Sequence, residues 1–297
     1  MRLEATVPME RSRFLVVHYH IFKNGGSTIE SILEREFSDG YATLHGRSPE
    51  TVLDASDLMQ FFQHHPRVQA VSSHHLRYPK PLDRQSVFFD CCFLRHPLSR
   101  LQSCYNHFRR PALDHPYAAW ARPATSRQFI RRLIEEAPHM ANNVQVMQLA
   151  NAGAFTRPAD EEDLDRATAV VRDMAIPGLV EMFDESLVSG EYFLRPAFPT
   201  LRMEYTPHNV NSGGRPAAPE SAGYWIDLWG RPLYQTLARM NALDIELVAR
   251  ARREILRRLD LIPRVAERLM EFRVRCARLS TPAMPYQPAA QSASAVA

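Results

Sequence analysis

Residues 14–37 read FLVVHYHIFKNGGSTIESILEREF, and the order of residue types in this stretch decides the fold. Phe14-Leu15-Val16-Val17 is a short apolar run rich in β-branched and aromatic side chains, the signature of a buried strand. A turn follows through Lys23-Asn24-Gly25-Gly26. After Ser27-Thr28 the apolar residues Ile29, Ile32, Leu33 and Phe37 recur at helical spacing. Strand, glycine turn and helix start together make an anion site. Glycine lets the backbone approach a ligand closely, the first N–H groups of the helix are unpaired, and the helix dipole favours negative charge. Lys23 adds a full positive charge, and the Ser27 and Thr28 hydroxyls add donors. The stretch predicts a phosphate or sulfate cradle within an α/β fold.

Residue order restricts the kind of cradle. A nucleotide-triphosphate P-loop reads GxxxxGK[ST], with the lysine after the glycines. Here the lysine precedes them, and GxxxxGK[ST] occurs nowhere in the chain. The plain alternative is a strand–turn–helix junction with an incidental surface lysine. Composition argues against it: among 36 Lys plus Arg residues, the only lysines are Lys23 and Lys80. A chain that uses arginine almost everywhere has an ammonium here, which suits a compact point charge rather than a planar fork.

A second junction follows. Ser86 to Leu94, SVFFDCCFL, is apolar almost throughout and reads as a central strand. It runs into Arg95-His96-Pro97, with Pro97 placed for the first turn of a helix whose apolar face is Leu98, Leu101, Tyr105 and Phe108. Arg95 sits at the strand's carboxyl end, where open α/β sheets bind ligands. With Ser103 further along the helix it forms a candidate clamp for a second phosphate. Two anion sites, each after a strand, suit a ligand with two separate anionic groups.

The remaining segments support one large domain over residues 1–280. Ser38 to Pro49 reads as loop, Thr51 to Phe62 as a weak helix, and Val68 to Val71 as a short strand ending at Ser72-Ser73-His74-His75. Helices are predicted over Ser126–Ala137, with Arg127, Arg131 and Arg132 on a solvated face, and over Glu161–Met174. Arg195 to Gly223 reads as a long loop, and Pro232 to Arg275 as helical with breaks near Asn241 and Pro263. Thr281 to Ala297 is rich in Pro, Ala and Ser and is expected to be disordered.

At 297 residues, with 45% hydrophobic and 23% charged content, the composition is that of an ordinary soluble globular protein. A net charge of +3 gives no argument for nucleic-acid binding. No apolar run is long enough for a membrane span, and MRLEATVPMERSR lacks the apolar core of a secretory signal. Cys91, Cys92, Cys104 and Cys276 have no metal-type spacing and read as reduced thiols in a cytoplasmic protein.

His20-Ile21-Phe22-Lys23-Asn24-Gly25-Gly26-Ser27-Thr28 resembles the HxPKTGGTS loop of sulfotransferases that use 3′-phosphoadenosine 5′-phosphosulfate (PAPS), with Phe22 and Asn24 in place of proline and threonine. Phe88 to Tyr105 resembles the family's 3′-phosphate motif, a strand followed by RxPxxRxxSxY; Arg95, Pro97, Arg100, Ser103 and Tyr105 all fit. Ala141–Ala150, Gly178–Leu187 and Asn241–Leu247 are similar to segments of the carbohydrate, heparan-sulfate-type branch, although that branch carries an arginine at about Met147.

The resemblance implies a P-loop-like three-layer α/β fold and sulfuryl transfer from PAPS to a hydroxyl, expected on a carbohydrate or glycoconjugate, leaving 3′,5′-adenosine bisphosphate (PAP) and requiring no metal. By the same carry-over, Lys23 steadies the leaving 5′-phosphate, while Asn24, Gly25, Gly26, Ser27 and Thr28 cradle it. Arg95 and Ser103 hold the 3′-phosphate, and Arg100 is structural. The acceptor needs a base, and His75 matches the family's histidine, with His74 second and Lys80 and His20 further local candidates. Two alternatives stand beside this reading: a nucleotide-binding module that has lost catalysis, motivated by Phe22 and Asn24, and a P-loop-like kinase. Neither the acceptor's identity nor the oligomeric state is written in these residues.

Overall fold

The computed structural model describes residues 12–48, 51–151, 157–206 and 221–280. In chain order these form β1 (Arg13–Tyr19), α1 (Gly26–Phe37), β2 (Tyr41–Thr43), α2 (Ala55–His64), β3 (Ala70–Ser73), β4 (Ser86–Leu94), α3 (Pro97–Phe108), α4 (Pro116–Ala121) and α5 (Ser126–Glu136). They continue with α6 (Val144–Ala150), α7 (Glu161–Asp173), β5 (Ile176–Leu179), α8 (Phe183–Leu194), α9 (Ala222–Trp229), α10 (Arg231–Met240), α11 (Ala242–Leu259) and α12 (Val265–Ser280). The expectations for the amino-terminal stretch, the tail from Thr281 and residues 207–220 of the Arg195–Gly223 loop lie outside the described residues.

All pairings in the five-stranded sheet are parallel, in the order β2-β3-β1-β4-β5. Strand alternation puts Leu15, Val17 and Tyr19 on one face of β1, and Val16 and His18 on the other. The first face packs against Leu58 and Phe62 of α2, Val146 of α6, Leu164 and Val171 of α7, and Leu247 and Ile255 of α11. The second packs against Ile29, Ile32 and Leu33 of α1, Leu187 of α8 and Phe272 of α12. Helices thus cover both sheet faces, a three-layer α/β architecture. A separate helical cluster joins α3, α5, α9 and α10 around Phe129, Leu237 and the stacked pair Trp225–Trp229, whose ring centroids are 4.6 Å apart.

The sequence missed β2, which is three residues long and too short to show an alternation. Helix α2 starts later than the hydropathy pattern indicates, because Asp54 and Asp57 form a capping box there. Strand β3 is shifted to Ala70–Ser73, since its register is set by pairing Val16 with Ala70 and Tyr19 with Ser73. Gly223 belongs to α9 rather than to a loop, behind a Ser221 cap.

The strand order matters for function. From β1 the chain moves outward to β2, returns to β3 and then crosses β1 to reach β4 and β5. This reversal puts the carboxyl ends of β1 and β4 side by side, where ligands bind in open α/β sheets.

Candidate functional site

The loop from β1 to α1 turns through two left-handed residues, Lys23 at φ 68° and Gly25 at φ 79°. Glycine takes that conformation without strain; at Lys23 it holds a non-glycine residue in a sparsely populated region of the kind that clusters at functional sites. Gly26 is fixed by space: a Cβ there would lie 1.9 Å from His20 Nε2. Helix α1 begins at Gly26 with no side-chain cap, and α3 begins at Pro97 likewise uncapped, in contrast to α2, α5 and α7. In the first turn of α1 the Thr28 N–H donates to the Gly25 carbonyl at 3.1 Å, while the Gly26 and Ser27 N–H groups at the very start precede any intrahelical acceptor. Ser27 is exposed beside them, whereas Thr28 is buried.

Lys23 is half-buried, with Nζ 5.7 Å from the centre of the Phe22 ring. Burial lowers its pKa most; the Cys104 thiol acts the other way, and the Arg110 and Arg95 guanidiniums lower it further. Lys23, Arg95 and Arg110 therefore face a common region in which cations disfavour one another. Such a region favours an anion.

Arg95 joins the two loops. Its Nη1 donates to the Lys23 carbonyl at 3.2 Å. The joint is completed by Gln145 of α6, whose side chain is fully buried. Gln145 Oε1 accepts from Asn24 Nδ2 at 2.8 Å and from the Arg95 N–H at 2.9 Å, while its Nε2 donates to the Arg95 carbonyl at 2.8 Å and to Asp244 Oδ2 at 3.3 Å. Asn24 Nδ2 also donates to the Phe93 carbonyl at 2.9 Å, and its backbone N–H donates to Ile21. The donors of Asn24 are thus spent inside the protein, where they hold the loop. Asp244 receives the N–H groups of Gln145 and Val146, and burial pushes its carboxyl pKa up. Glu181 accepts the His96 N–H at 2.8 Å, and burial raises its pKa as well.

Ser103 is half-buried on α3 and makes no side-chain hydrogen bond among the described residues. Arg100 is 1% exposed and donates to the Met140 carbonyl at 2.6 Å, which is a structural role. Tyr105 bonds the Ala124 carbonyl, and Met147 is a core residue. Lys80 pairs with the buried Asp90 at 2.8 Å and is a structural cation. Arg127, Arg131 and Arg132 are exposed, with Arg132 over the Trp120 ring.

The two histidines after β3 differ in their hydrogen bonding. His74 Nδ1 lies 3.0 Å from the His20 carbonyl, which can only accept, so Nδ1 carries the proton and Nε2 keeps the lone pair. The His74 ring sits 3.7 Å from that of His20 and 6.5 Å from that of Phe22. Burial, then His20, pushes its pKa down to about 4. His75 Nδ1 accepts the Gly46 N–H at 2.9 Å, which leaves the proton on Nε2, and its ring faces His45 at 6.3 Å. The structure therefore brings His74 to the loop and turns His75 toward residues 45–46.

The sequence reading passed over Gln145, Asp244, Glu181, Arg110 and His107. His107 lies 5.3 Å from the Phe22 ring, and burial, then Lys23, lowers its pKa to about 4. Gln145 carried no local signal that separates it from Gln148 in the same stretch, Val144–Ala150.

No family model matches the chain. Over 243 residues it is 25% identical to an uncharacterized protein of Archaeoglobus fulgidus, a match that covers 80% of this chain and 95% of that protein.

Proposed function

We propose that this protein transfers a sulfuryl group from PAPS to a hydroxyl, with a carbohydrate or glycoconjugate as the expected acceptor. One observation carries the reading: Lys23 and Arg95, on the adjacent loops after β1 and β4, meet at the uncapped starts of α1 and α3. This provides two neighbouring anion positions, which a donor with separate 5′ and 3′ phosphates matches. The cradle fits such a group. The start of α1 carries no side-chain cap, and the surrounding cations leave Lys23 short of negative charge.

In this reading the N–H groups of Gly25, Gly26 and Ser27, with the Ser27 and Thr28 hydroxyls, hold the 5′-phosphate. Arg95 and Ser103 hold the 3′-phosphate. The acceptor oxygen bonds to sulfur as the bond from sulfur to the 5′-phosphate oxygen breaks, and Lys23 neutralises the charge that develops on that oxygen. The acceptor proton goes to a base. Hydrogen bonding favours His74, whose Nε2 keeps its lone pair, over His75, whose open nitrogen bears the proton. No metal takes part in this chemistry. A cytoplasmic setting fits the four free cysteines, three of them buried. The binding-module alternative loses one of its motives, because Asn24 has a structural occupation in the loop.

The test is calorimetric titration of PAP into the wild type, Lys23→Ala and Arg95→Ala. Micromolar or tighter binding, weakened at least tenfold (about 1.4 kcal/mol) by Arg95→Ala, supports the donor site. No binding to the wild type refutes it. Binding without turnover on any hydroxyl acceptor favours the module that has lost catalysis.

A further inference from the structure

Directly behind the anion loop, β1 ends in His18-Tyr19 and His20 follows it. Strand periodicity sends His18 and His20 to the same face, the one covered by α1, and both are buried there, at 1% and 7% exposure. Glu30 on α1 and Ser72 on β3 meet them. Glu30 Oε1 is 2.8 Å from His20 Nδ1 and 3.1 Å from Ser72 Oγ, and Ser72 Oγ is 2.8 Å from His18 Nδ1. One ligand atom from each of His18, His20 and Glu30 lies within 4.8 Å of the others. The sulfuryl-transfer steps proposed above give none of these four side chains a role.

We propose that His18, His20 and Glu30 form a binding site for a divalent transition-metal ion, zinc in the first instance. Two imidazoles and one carboxylate are a donor set for zinc, cobalt(II), nickel(II) or iron(II), and a poor one for magnesium or calcium, which prefer oxygen alone. The spacing of the rings suits such an ion. Two imidazoles sharing a tetrahedral ion at about 2.0–2.1 Å have ring centres about 5 Å apart; those of His18 and His20 are 5.1 Å apart, with planes stacked at 21°, so one ring turns about its Cβ–Cγ bond to aim both lone pairs at the ion. Packing also selects the nitrogen. The Nε2 of His20 abuts Gly26, so Nδ1 is the atom that remains to face Glu30. Ser72 Oγ or a water fills the fourth position. An ion here fastens β1, β3 and α1 to one another beneath the cradle, a structural role in which the metal does not touch the reacting groups. This inference stands apart from sulfuryl transfer.

The competing outcome is a hydrogen-bonded network alone. His20 Nδ1–H and the Ser72 hydroxyl would donate to Glu30 Oε1, and His18 Nδ1–H to Ser72. Metal analysis separates the two. The full chain, purified without a metal-affinity tag, is assayed for zinc by elemental mass spectrometry, stripped with chelator, and titrated with zinc and with cobalt(II). The expected result is one equivalent of zinc at micromolar or tighter affinity, with visible ligand-field absorption in the cobalt form. His18→Ala and Glu30→Gln should each weaken binding at least tenfold, and His75→Ala should leave it unchanged. Glu30→Gln keeps the shape of the network, and far-ultraviolet circular dichroism checks that it folds. Sub-stoichiometric zinc in the wild type, or affinity unchanged in both ligand variants, overturns the proposal and leaves the network alone.

Discussion

Replacing Gln145 by alanine should destabilise the protein strongly, and the structure sets the size of the effect. The side chain makes four hydrogen bonds, to Asn24, to both backbone groups of Arg95 and to Asp244. Truncation leaves the Arg95 N–H and carbonyl without this partner, and each orphaned buried group costs about 1–3 kcal/mol. With the lost packing of the amide, the total should be about 3–5 kcal/mol. Asn24→Ala removes the donors to Phe93 and Gln145 and should cost about 1–3 kcal/mol. The two changes share one hydrogen bond, so the double variant should fall short of the sum by about 1 kcal/mol. Urea denaturation of the four proteins measures the cycle. Affinity for PAP should fall at least tenfold in Gln145→Ala, because Arg95 is no longer held against the loop. Additivity to within about 0.3 kcal/mol, with PAP affinity unchanged, would refute the claim that Gln145 clamps the two loops together.

Gly26→Ala places a methyl group on the His20 ring and should cost about 1–3 kcal/mol in urea denaturation while weakening PAP binding; a neutral result would mean the loop relaxes freely. Asp163, whose side chain is 0% exposed, has its pKa lowered to about 2, chiefly by the side-chain hydrogen bond from Arg157. A carboxyl depressed in the folded state stabilises above its ordinary value of 3.8 and loses that contribution as pH falls toward 2. Asp163→Asn should therefore cost about 2 kcal/mol at pH 7 and little at pH 2, read by denaturation at both values. Lys80→Met leaves the Asp90 carboxylate, among the described residues, with Tyr78 and the Ala175 N–H as partners, and should cost about 2–4 kcal/mol. Adding Asp90→Asn should recover part of that loss, and failure to recover would count against the pairing.

Elements whose cause is local were legible in the chain alone. Apolar spacing marked β1, α1, β4 and α7, Pro97 marked the start of α3, and the breaks near Asn241 and Pro263 separated α10, α11 and α12. These features depend on neighbours a few positions apart, so a linear reading reaches them. It also singled out Lys23 and Arg95 as a pair of cations after two strands. The adjacency of β1 and β4 emerges in three dimensions alone, because strand order depends on how the crossovers fold back. The same holds for Gln145, which reaches the loops from 50 and more positions away, and for Asp244, which holds Gln145 from 99 positions further on; neither answers to a local pattern. The choice between His74 and His75 is the clearest case. Adjacent and chemically identical in sequence, they differ because one imidazole meets a carbonyl and the other an N–H, and that partner fixes which nitrogen keeps its lone pair.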